Sequence, residues 1–99
     1  MTDLIIQHHV HDFAAWKEVF DGDQLNRERH GSTGHTLLRS EADPNNVVVI
    51  VHFPSRSEAE SFVSDPALKA AMQQAGVEGK PSTMFDEEVE VVTYGVPVG

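Results

Sequence analysis

Residues Leu4 to Phe20, LIIQHHVHDFAAWKEVF, change period at Asp12. Leu4 to Val10 is a short β-prone run. After it Phe13, Trp16 and Phe20 recur at helical spacing, and Asp12 carries the oxygen that caps a helix's first free N–H groups. A strand leading straight into a helix, in a chain of 99 residues, predicts one domain spanning residues 1–99 in which helices and a sheet pack on each other.

The remaining elements follow from local signals. The first helix is predicted from Asp12 to about His30, with Gly31 and Gly34 supplying its stop and turn. Thr36–Glu41 and Val47–Phe53 read as a hairpin, joined by ADPNN, where Pro44 fixes φ and the two asparagines tolerate unusual backbone angles. Ser55 and Glu58 match the capping-box pattern and open a second helix with Ala59, Phe62 and Val63 on its apolar face. Asp65-Pro66 is a fresh cap with proline at the first helical position, so that helix breaks in two. Leu68, Ala71, Met72 and Ala75 then continue the stripe to Gly76. After a Gly79-Lys80-Pro81 linker, Thr83 to about Tyr94 is the expected last strand, and VPVG a tail. The resulting βαββαβ order, one helix layer on an antiparallel sheet, is the ferredoxin-like α+β plan.

Helices cover only one face of such a sheet, yet Val47 to Val51, VVVIV, is apolar on both sides, as strands buried on both faces are. The simplest cover in a small chain is a second copy of the same sheet related by a two-fold axis, which predicts a homodimer.

Charge and composition narrow the partners. Sixteen acidic against seven basic side chains give a net charge of −9, which repels phosphate backbones and anionic bilayers, so neither nucleic acid nor a membrane is expected. No run approaches the roughly 20 apolar residues of a membrane span, and the N-terminus lacks a basic region followed by an apolar core, which together predict a cytoplasmic protein. With no cysteine, disulfides, thiolate metal sites and cysteine nucleophiles are excluded, leaving six histidines as candidates for proton or metal chemistry.

The segments HHVHDFAAWKEVFD, LLRSEADPNNVVVIVHF and SFVSDPALKAAMQQAGV, followed by FDEEVE, resemble proteins of the dimeric α+β barrel superfamily over about Leu4 to Glu90. That superfamily includes antibiotic-biosynthesis monooxygenase-like, polyketide cyclase-like and stress-responsive barrel proteins. The resemblance implies a homodimer packed sheet to sheet, with each subunit's pocket between its own sheet and helices. It carries onto this chain His8, Asp12, Phe13, Trp16, Phe20, Met72 and Gly76, with His8 the polar residue facing the pocket. The Asn, Trp and His set of haem-degrading members has no match, since the only tryptophan is Trp16.

Candidate site residues come from parity and spacing. Leu4, Ile6, His8 and Val10 share one face of the first strand; Ile5, Gln7, His9 and His11 share the other. His8, alone among apolar neighbours, is either a neutral core histidine or a ligand-binding and proton-transfer group, the choice resting on whether a cavity reaches it. The βαββαβ plan is read as making the first and third strands parallel neighbours, which sets His52 near the same strand end as His8 or His9. No ligand set for a metal follows, because His9 and His11 supply half a site at most. Phe13, Trp16 and Phe20 form either a helix's core face or an aromatic wall, and Phe62 and Met72 carry the same ambiguity. Arg39 pairs with a ligand carboxylate, an acidic neighbour or solvent. Asp86, Glu87, Glu88 and Glu90 read as an exposed, solvated run that discourages edge aggregation.

Two functions are compatible with this pattern. One is a cofactor-independent enzyme acting on a small aromatic or polyketide-like molecule by oxygenation, cyclisation or isomerisation, with His8 as its catalytic group and His52, Phe13, Trp16, Phe20, Arg39, Phe62 and Met72 as its ligand-binding set. The other is a dimeric binding or stress-responsive protein that holds a small apolar molecule without turnover. Neither requires a cofactor.

Overall fold

The computed structural model describes residues 1–95; the VPVG segment expected as a tail lies outside them. Eight elements follow in order: β1 (Thr2–Val10), α1 (Phe13–Gly22), α2 (Gln24–Arg29), β2 (Gly34–Arg39), β3 (Asn46–Phe53), α3 (Arg56–Ser64), α4 (Pro66–Gln74) and β4 (Val77–Glu87). The fold is the expected ferredoxin-like α+β architecture, with helices on one face of a four-stranded sheet.

Local chemistry explains most boundaries. Asp12 Oδ2 accepts from the Ala15 N–H at 3.0 Å, and Asp65 Oδ1 accepts from the Ala67 N–H at 2.9 Å, so each aspartate satisfies a donor that a helix start leaves free. In the hairpin, Asp43 Oδ1 accepts from the Asn45 N–H and the Asp43 carbonyl accepts from the Asn46 N–H, both at 3.0 Å. Gly31 and Gly76 end α2 and α4 with φ of +90° and +82°, which side chains with a Cβ rarely adopt.

Other boundaries differ from the sequence reading. The first helix is two, broken at Asp23, whose φ and ψ of −95° and 9° leave the helical region; Gly22 and Asp23 are both weak helix formers. Ser55 opens α3 without bonding its backbone, and its Oγ donates instead to Glu58 Oε1 at 3.3 Å. The last strand begins at Val77 and ends at Glu87, so the expected Gly-Lys-Pro linker lies inside it. Gln7 pairs with Ser82 and His9 with Glu78, leaving Gly79, Lys80 and Pro81 as a bulge opposite His8. Proline is tolerated there because β4 is an edge strand and a bulge interrupts the ladder. Glu88 and Glu90 lie beyond the strand, so the acidic run does not alternate across a sheet, though all four of its residues are exposed.

The sheet order is β2-β3-β1-β4 with every neighbouring pair antiparallel. This corrects the expectation that β1 and β3 run parallel. The crossover through α1 and α2 returns β2 in the direction of β1, and the hairpin then reverses the chain, so β3 must oppose β1. His8 therefore pairs with Val47, while His52 pairs with Asp3 at the other strand end.

The core lies between the sheet and the helices. Leu4, Ile6 and Val10 of β1 and Val47, Val49, Val51 and Phe53 of β3 are buried against Trp16, Ala59 and Phe62. The other face presents an apolar band in register: Thr36, Ile50, Ile5 and Met84 in one row, Leu38 and Val48 in the next. Leu38 and Met84 are 51% and 52% exposed there. Among the described residues no helix is long and apolar enough to cross a membrane.

Candidate functional site

Between the sheet and the helices a cavity reaches His8. It holds about 450 Å³ of unfilled space, mouth included, of which the centre of a water molecule can reach about 50 Å³. Ile6, Val49 and Val51 form its floor, Trp16, Val19 and Phe20 of α1 one wall, and Phe62, Leu68, Ala71, Met72 and Ala75 the other. His8, Asp23 and Arg27 are the only lining residues with polar side chains apart from the Trp16 indole. An apolar pocket with a few convergent polar groups is the usual form of a small-molecule site.

His8 projects from β1 by the alternation of the strand, opposite the Gly79–Pro81 bulge. It is 6% exposed, and both ring nitrogens lack a hydrogen-bond partner among the described residues. Its ring meets Trp16 edge to face at 5.5 Å between centroids. Burial pulls the imidazole pKa below its ordinary 6.5, because the charged form loses its hydration and gains no partner. The group is therefore a neutral base and acceptor facing an apolar space.

The aromatic wall is built by α1. Trp16 is 3% exposed and stacks on Phe20 at 4.8 Å with planes 17° apart. Trp16 and Phe20 thus pack with the core and also line the cavity. Arg27 comes from α2 and lies over the Phe20 ring, its guanidinium carbon 3.9 Å from the centroid. Its Nη1 donates to the Phe20 carbonyl at 2.9 Å.

Of the residues singled out in the sequence, His8, Trp16, Phe20, Phe62 and Met72 meet at this cavity, whereas Phe13, Arg39 and His52 do not. Phe13 packs on the outer side of Trp16 at 5.8 Å, and Arg39 covers it, 4.5 Å from its centroid. His52 lies on the other sheet face. Its Nδ1 is 2.7 Å from Asp3 Oδ1 and its Nε2 3.2 Å from Thr36 Oγ1, so the expected approach of His52 to His8 does not occur. With Glu88, Asp3 and His52 bring three ligand-type atoms within 4.8 Å of one another, a grouping that no sequence spacing announces. His9 does not pair with His11; its ring nitrogens lie 2.9 Å from Glu78 Oε1 and 3.1 Å from Asp43 Oδ2. The Glu78 hydrogen bond is the largest influence and raises its pKa; desolvation opposes it, and the charge and hydrogen bond of Asp43 and the Glu78 charge add to the rise.

Arg27 and Asp23 were not singled out from the sequence. The spacing of Trp16, Phe20 and Arg27 would put them on one side of a continuous helix, but the break at Asp23 makes Arg27's place in the cavity a matter of how α2 packs.

No protein-family model matches the sequence, and no curated protein matches it. Solved structures do match its fold. A candidate antibiotic biosynthesis monooxygenase from Bordetella bronchiseptica superposes with a TM-score of 0.77 at 15% identity, covering 90% of this chain and 97% of the other. SnoaB, a cofactor-independent oxygenase from Streptomyces nogalater, gives 0.75 at 18% identity over 92% and 95% of the two chains. A further candidate antibiotic biosynthesis monooxygenase, from Deinococcus radiodurans, gives 0.72 at 12% identity over 95% and 98%. The chain thus has the fold of the antibiotic biosynthesis monooxygenase-like structures, as its sequence resemblance implies.

Proposed function

We propose that this protein binds a small aromatic or polyketide-like molecule in the cavity between sheet and helices and acts on it as a cofactor-independent, monooxygenase-like or cyclase-like enzyme. The observation that carries this reading is His8, a neutral imidazole with two unpartnered nitrogens at the wall of an apolar cavity. A buried base of lowered pKa is unprotonated at neutral pH and can accept a proton from an acidic O–H or C–H of a bound aromatic. A substrate anion formed there would be held out of water by Trp16, Phe20 and Met72, and an electron-rich anion is the form that reacts with dioxygen or closes a ring. The likeness in fold to a cofactor-independent oxygenase is consistent with this chemistry.

The second reading, binding without turnover, has one observation in its favour. No carboxylate orients the His8 ring among the described residues, whereas catalytic histidines commonly have such a partner.

The assembly we propose is a homodimer through the open sheet face. Ile5, Val48 and Ile50 are only half-buried there, beside the exposed Leu38 and Met84, and a contiguous apolar band of this kind is the usual sign of an interface. Beyond β4 the exposed Val89, Val91, Val92 and Tyr94 add apolar surface for a partner to cover. The cytoplasmic location is proposed on the sequence alone.

The function is tested by dissolved-oxygen consumption with an electron-rich hydroxyanthrone in metal-free buffer, alongside quenching of the single tryptophan. Catalysis predicts consumption above the protein-free rate that His8→Ala abolishes and His9→Ala leaves intact. Quenching without consumption or product would select the binding reading. Neither signal would overturn the site.

A further inference from the structure

Arg27 is 4% exposed, and burying a guanidinium demands partners for its donors. Only part of that demand is met. Nη1 donates to the Phe20 carbonyl and the face of the group lies on the Phe20 ring, but Nη2 is buried with no hydrogen-bond partner. None of the ion pairs among the described residues includes Arg27. The residue lines the same cavity as His8.

Resting on the reading that this cavity takes a small aromatic molecule, we propose that its occupant carries an anionic oxygen (carboxylate, phenolate or enolate) which accepts from Arg27 Nη2. The two polar groups then divide the ligand between them. Arg27 supplies a fixed positive charge at one point of an apolar wall, where a charge-assisted bond is strong and water competes poorly. His8, neutral and unpaired, is left for the reacting or hydrogen-bonded position. Packing alone accounts for the stacking on Phe20, since a methionine or leucine would fill that space, but not for a buried cation with a free donor. Lysine, with no flat face to lay on Phe20 and no fork to hold one nitrogen on a carbonyl while presenting another, would do this poorly. Asp23, the one carboxylate on the lining, partly offsets the charge, and its pull on the Arg27 pKa opposes the larger effect of burial.

The test is a matched pair of probes, benzoate and benzyl alcohol, titrated into the full-length protein and followed by calorimetry and by the Trp16 indole N–H resonance. The parent should bind benzoate at least roughly tenfold more tightly than the neutral probe. Arg27→Met should erase that preference, bringing benzoate down to the affinity of benzyl alcohol, and Asp23→Asn should widen it in favour of benzoate. Equal affinities in the parent, with the Trp16 resonance shifting for both, would overturn the anion anchor and leave the aromatic site standing. No shift with either probe would overturn both. Because the parent's own preference decides the matter, an Arg27 variant that fails to fold leaves the test intact.

Discussion

The imidazole of His8 meets the indole of Trp16 at 68° with 5.5 Å between ring centroids. The contact helps to bury the imidazole, and an imidazole buried with no polar partner for either nitrogen among the described residues resists taking up a proton. Its folded pKa lies below 6.5, so as the pH falls below that value the unfolded chain binds a proton that the folded chain does not. His8 must therefore lower stability progressively on acidification, with no effect above the unfolded pKa. Denaturant unfolding of the parent and His8→Leu from about pH 8 to about pH 5 should show the variant gaining relative to the parent only at the acid end. A difference that stays flat across that range would mean that His8 is charged or hydrated in the fold.

Trp16 closes the core and lines the cavity at once, which makes its truncation informative. Stacked on Phe20 and buried, it should cost about 3–5 kcal/mol when changed to Ala. Denaturant midpoints decide the point. A loss below about 1 kcal/mol would show that the ring is a loose wall whose removal merely widens an existing opening.

The sequence was most legible where structure is local. Asp12, Asp65-Pro66 and the ADPNN turn each carry their own hydrogen-bonding logic within a few residues, and the alternation of β1 placed His8 on the apolar face without any knowledge of the fold. Relations that depend on chain direction were less accessible. A parallel β1–β3 pair would set His52 beside His8, but one further reversal of the chain makes the pair antiparallel and puts His52 at the other strand end, on the face away from Val47, Val49 and Val51. Gly79 to Pro81 reads as a linker in sequence because glycine and proline mark loops and bulges alike, and only the pairing of Gln7 and His9 with Ser82 and Glu78 separates the two. Arg27 carries no sequence mark of its role, because a cation on an apolar stripe reads as surface until its burial is known.

The two helix starts that look alike in sequence should respond differently to substitution. Asp12 bonds the Ala15 N–H, so Asp12→Ala should cost about 1 kcal/mol. Ser55 makes no such bond and spends its hydroxyl on Glu58, so Ser55→Ala should fall within about 0.5 kcal/mol of the parent. Equal losses at the two positions, read from thermal or denaturant unfolding, would show that the Ser55 hydroxyl reaches the backbone after all.

The open sheet face makes the last prediction. Ile5 and Ile50 are cross-strand partners at its centre, flanked by Thr36 and Met84 in the same row, so a second copy packed there would bury both. Each buried isoleucine would contribute roughly 1.5–3 kcal/mol, whereas a charge at that position would be desolvated without a partner. Light scattering at low micromolar concentration should give the parent twice the 10.9 kDa of one chain. Ile50→Glu should give a folded monomer, its circular dichroism unchanged because the side chain points away from the helix-covered core. Leu25→Glu is the control: it removes another exposed hydrophobic residue, 77% exposed on α2, and should leave the dimer intact. A parent that is already monomeric and folded would refute the sheet-to-sheet assembly, and an Ile50→Glu dimer would move the interface to another face.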